Sequence, residues 1–82
     1  SSVGLVVVKA TREHRGDLEG QVRAQVYRAS DSVYRLGEGI VAAIVGECRK
    51  SDLAMIVERM TEALGKNVRL TSVHCPDDAV DP

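Results

Sequence analysis

The chain has 82 residues, enough for one domain but close to the size at which a single apolar core is marginal without help. Its 11 Lys and Arg balance 12 Asp and Glu, which argues against a nonspecific binder of nucleic acid or acidic membranes. With no Trp or Phe and only two Tyr, the core must be built from Val, Ile, Leu, Ala and Met, and such a core favours association between copies.

The first apolar run, Val3 to Val8, reads as a doubly apolar strand extending to Lys9 or Ala10. Thr11 to Gly16 is polar and ends on a turn residue. The Arg15-Gly16-Asp17 tripeptide inside it reads as a loop leading into an N-cap Asp rather than as an adhesion ligand. From Asp17 to Ala29 two periods compete. Leu18, Val22, Val26 and Ala29 form a helical line with a Glu19–Arg23 pair at i+4. Val22, Ala24 and Val26 alternate as a strand would. The helix is preferred, because two strands apolar on both faces need a covering layer.

Ser30-Asp31-Ser32 is a turn cluster, Val33 to Leu36 a short strand, and Gly37-Glu38-Gly39 a tight hairpin connection. The hairpin opens onto Ile40–Val45, apolar at every position and bracketed by Gly39 and Gly46. One continuous helix from Asp31 to Cys48 has the right spacing, but it would carry three internal glycines at a cost of about 3 kcal/mol. The next segment predicts an amphipathic helix capped by Ser51, with Asp52 in its first turn. Leu53, Ile56, Val57, Met60 and Leu64 form its stripe, Glu62–Lys66 pairs at i+4, and Gly65 takes the positive φ that ends it. Val68 to Val73 alternates as a last strand. Residues 1–75 are expected to form one domain and residues 76–82 an acidic, proline-bounded, frayed tail.

The resulting order, β-α-β-β-α-β, predicts a ferredoxin-like α+β domain. It would have one antiparallel sheet in the order 4-1-3-2, with both helices on one face. The alternative is a β-hairpin followed by two helices and a final strand. No apolar run approaches the ~20 residues of a membrane span and no secretory leader is legible. Two cysteines do not make a disulfide framework, so a reducing cytoplasm is the expected setting.

Two ends of this sheet hold chemistry-bearing residues. At one, Cys48, His74 and Cys75 come near each other. Two strand spacings would put the cysteines ~10 Å apart at Cα, beyond the ~7 Å reach of a disulfide. Three ligands without CxxC spacing do not make a metal site; a buried Cys48 and an exposed His74–Cys75 pair are expected. At the other end, Lys9, Arg12, His14 and Arg15 meet Lys66, Asn67 and Arg69 at a helix start, a setting suited to a small anion. Glu13, Asp17 and Glu19 dilute its charge. A nucleic-acid partner would need aromatic rings on the sheet. The central strands have none, and Tyr27 and Tyr34 fall elsewhere. There is no Ser-His-Asp order of interest, no carboxylate pair beyond surface ones and no metal-protease spacing. Lys9, Glu13 and His14 could do acid–base work but read first as solvated loop residues, and the sequence leaves any cofactor unknown.

The central strands are apolar on both faces while helices cover only one. The uncovered apolar positions, Leu5, Val7, Val41 and Ile44, therefore predict an interface. The functional expectation is a homo-oligomeric binding or regulatory module with a small anionic ligand at the basic edge. The alternatives are a small oligomeric enzyme with a site between subunits that uses His14, and an assembly subunit without a ligand.

Overall fold

The structure is a computed structural model and describes residues 2–26 and 28–76. Tyr27 and the expected acidic tail after Pro76 lie outside the described residues. The element order is β1 (Val3–Ala10), α1 (Leu18–Arg23), β2 (Asp31–Gly37), β3 (Ile40–Gly46), α2 (Lys50–Leu64) and β4 (Val68–Cys75). One four-stranded antiparallel sheet is formed in the order β2-β3-β1-β4, so the two most apolar strands are central, as the sequence predicts.

Strand parity sorts the side chains. Val6 and Val8 of β1 stand opposite Ala43 and Val41 of β3 on one face, and all four are buried. They pack with Leu18 and Val22 of α1, Leu53 and Met60 of α2, and Val33 and Val68 of the outer strands in one core. Both helices thus lie on this face. Gly4 lies against Leu53 of α2: a Cβ there would stand 2.7 Å from Cδ1 of Leu53 and 3.3 Å from Sγ of Cys48, so a larger residue would require the Leu53 side chain to shift.

The second helix keeps its expected stripe, with Leu53 and Met60 buried and Ile56, Val57 and Leu64 half-buried. Its start differs. Arg49 is the N-cap, placing Ser51 inside the first turn, and Asp52 secures the end by accepting from the Arg49 backbone N–H and from Nε, each at 3.2 Å. Gly65 closes the helix at φ 81°. The Glu62–Lys66 pair is not among the ion pairs of the described residues, because Lys66 already lies in the turn beyond the helix.

The first helix is shorter than expected. It stops at Arg23, although the Glu19–Arg23 pair forms at 2.9 Å. The Gln25 N–H reaches back to the Val22 carbonyl, tightening the last turn, and the Gln25 carbonyl accepts from Arg59 of α2. Val26 is still buried, but Ala29 is exposed. A turn held by Arg28 and Asp31 then starts β2 two residues earlier than the pattern indicates.

Candidate interaction surface

Among the described residues the other face of the sheet carries no helix. Val3, Leu5 and Val7 of β1 lie beside Ile40, Ala42 and Ile44 of β3, with Ser32 and Tyr34 of β2 on one flank and Thr71, Val73 and Cys75 of β4 on the other. Val3, Ile44 and Val73 are each more than a third exposed and Tyr34 is 53 % exposed, while Ala42 is sealed between its neighbours. Leu36, at a bulge in β2, is 60 % exposed. The strands at the centre of the sheet therefore also present apolar side chains on the face away from the core.

Three of the predicted interface residues, Leu5, Val7 and Ile44, are on this face. Val41 is a correction. Three positions from Ile44 it has the opposite parity, and at 2 % exposure it belongs to the core under the helices. Tyr34 lies on the outer strand β2, off the central strands as expected, yet it stands opposite Ala42 and puts one aromatic ring on the open face.

At one end of the face, Lys9 and Arg69 are directly opposite in the β1–β4 register. Among the described residues neither makes an ion pair. The loop beside them is tied to the start of β4: the Thr11 N–H and hydroxyl both donate to the Asn67 carbonyl, and Asn67 Nδ2 donates to the Glu13 carbonyl. Lys66 precedes Asn67 in the turn between α2 and β4. The rest of the predicted anion site does not converge. Arg15 turns onto its own loop and donates to the Arg12 and His14 carbonyls, and His14 is engaged with Gln21 at 2.8 Å. The concavity next to this loop is lined by Asp17, Glu19 and Arg35, so carboxylates share it.

The far end of the sheet separates the residues that sequence spacing groups together. Cys48 is fully buried on the covered face, where burial pushes its thiol pKa up. Cys75 is exposed and, paired with Val3, belongs to the open face; both thiols are free. His74 is not the exposed residue expected. It faces inward opposite Gly4, is 3 % exposed, and donates from Nε2 to the Cys48 carbonyl. Among the described residues no three His, Cys, Asp or Glu come together as a metal site would need.

Sequence reasoning overlooked a groove between α2 and the link from α1 to β2, lined by Val26, Asp31, Asp52, Met55 and Arg59. The one legible signal is Met55, an apolar residue off the helix stripe that is 68 % exposed. No helix of the described residues is long and apolar enough to cross a membrane. The chain matches no known protein-family model and no curated protein.

Proposed function

We propose that the protein is a small homo-oligomeric binding or regulatory module whose copies associate through the open face of the sheet. The observation that carries this reading is the apolar surface of Val3, Leu5, Val7, Ile40 and Ile44 on the two central strands, opposite the face that the helices cover. Apolar surfaces of this kind are rarely left to water in a small protein. A second copy is the simplest occupant, because two such faces can stack as the inner layers of a sheet sandwich, with Lys9 and Arg69 left at the solvated rim. The same reading takes the fold as ferredoxin-like, in support of which stand the element order and the strand order.

Light scattering behind a sizing column tests it. The expected wild-type mass is a multiple of 8.9 kDa, and Ile44→Asp, which adds a charge to a position already 37 % exposed, should reduce it. A wild-type monomer at every concentration overturns the proposal. Large, size-heterogeneous particles would instead favour an assembly subunit.

A second element of the reading is a small anion between Lys9 and Arg69. Like charges directly opposite across a strand pair are destabilising, and a bound phosphate or carboxylate would relieve that repulsion. Thermal shift across phosphates, nucleotides and carboxylates should show stabilisation that Arg69→Ala weakens by about tenfold in affinity. Equal responses of wild type and variant would dismiss this site. Turnover of any stabilising ligand would make the protein an enzyme instead.

A further inference from the structure

The two edges of the sheet are built differently. The β2 edge is blunted. Its register breaks at a bulge between Arg35 and Gly37, and Arg23 of α1 caps the Val33 carbonyl at 3.1 Å. Charged Asp31 and Arg35 lie along it. These are the devices by which proteins keep an edge from pairing. Among the described residues the β4 edge shows no bulge and no side-chain cap of this kind. Val68–Cys75 runs for eight residues in unbroken register with β1, contains no proline and carries one charge, Arg69. Every second backbone N–H and C=O of an edge strand points away from its only neighbour.

We infer that β4 is a pairing edge, and that its partner is β4 of a second copy running antiparallel about a two-fold axis near Thr71 and Ser72. The strand is self-complementary in that arrangement. With Thr71 opposite its own counterpart, Arg69 meets Val73 and Leu70 meets Ser72, so the single charge never faces itself and side chains keep to their own faces. Pairing joins two four-stranded sheets into one of eight strands. The open apolar surfaces of the two copies, each reaching β4 through Val73 and Cys75, then become continuous. An unrelated extended peptide could use the same hydrogen bonds, but it would not extend that surface. The inference does not depend on face-to-face stacking, because edge pairing leaves the face open.

Amide hydrogen exchange at low and high protein concentration tests it, on the wild type and on Ile44→Asp, in which stacking is disabled. The expected result is that alternate amides of β4 become protected as concentration rises, in both proteins, while the outward amides of β2 do not change. Face stacking alone gives no such alternation along one edge. If the outward β4 amides exchange freely at every concentration, the edge is unpaired and the inference fails. Loss of protection in Ile44→Asp with its fold intact would also overturn it, since the edge would then be secondary to the face. Should Ile44→Asp not fold, the alternation in the wild type decides alone.

Discussion

At the scale of single residues, burial and hydrogen bonding assign different work to side chains that look alike in the sequence. Met60 has no exposed surface and lies at the centre of the core. Met60→Ala should cost about 2–5 kcal/mol in denaturant unfolding, whereas Met55→Ala on the solvent side should cost little. Asp52 is the residue through which acid should act. Its carboxyl is held below the ordinary Asp value, first by the Arg49 backbone N–H and then by the Arg49 side chain. A depressed carboxyl contributes stability that is present above its unfolded value and is lost as pH falls through its folded value. Urea midpoints measured across that acidic range should therefore fall for the wild type more than for Asp52→Asn, which has no charge to lose. The thiols offer a third check. In Ile44→Asp, in which the face is left open, one equivalent of a maleimide should react promptly at Cys75, and a second only after unfolding exposes Cys48. Equal native reactivity of both would contradict the burial of Cys48.

At the scale of elements, what was legible depended on whether a segment carries its own stop signal. β1, β3 and α2 are long runs with strong periods, and glycines punctuate β3 and the end of α2. The Gly65 backbone, at φ 81° and ψ −165°, lies in a region that side chains avoid, so Gly65→Ala should lower stability by about 1–3 kcal/mol in thermal or urea unfolding. α1 has no such mark. Its apolar line continues through Val26, and what ends it at Arg23 includes a contact from Arg59, more than thirty positions away in the chain, which no local pattern reveals. The candidate site divides in the same way. That β1 and β3 would bare one face followed from their composition, yet the side taken by Val41 required counting parity from a fixed register. Likewise His74 faces inward by the parity of β4 and is held by the Cys48 carbonyl, a partner twenty-six positions away. The basic loop was legible as a cluster of charges, but the carbonyls that Arg15 engages belong to its backbone conformation and have no sequence signature.

At the scale of the whole molecule, among the described residues, the sheet has one face packed under helices and one without them, a β2 edge broken by a bulge and a β4 edge in unbroken register. If copies associate as proposed, a chain of this build grows in two directions, by stacking and by strand addition, and amide exchange in Ile44→Asp tells one from the other. The order of the strands has a mechanical consequence as well. Val3 at the start of β1 and Cys75 at the end of β4 are opposite one another in register. Tension applied at those two points loads the β1–β4 ladder one rung at a time, like a zipper opened from its end, instead of shearing all its hydrogen bonds together. In an optical trap, handles at these positions should peel β4 away at low force. Handles at Val3 and Val68, which sit at opposite ends of the β1–β4 ladder, load its rungs together in shear and should meet much greater resistance, so β4 would peel readily and slide stiffly.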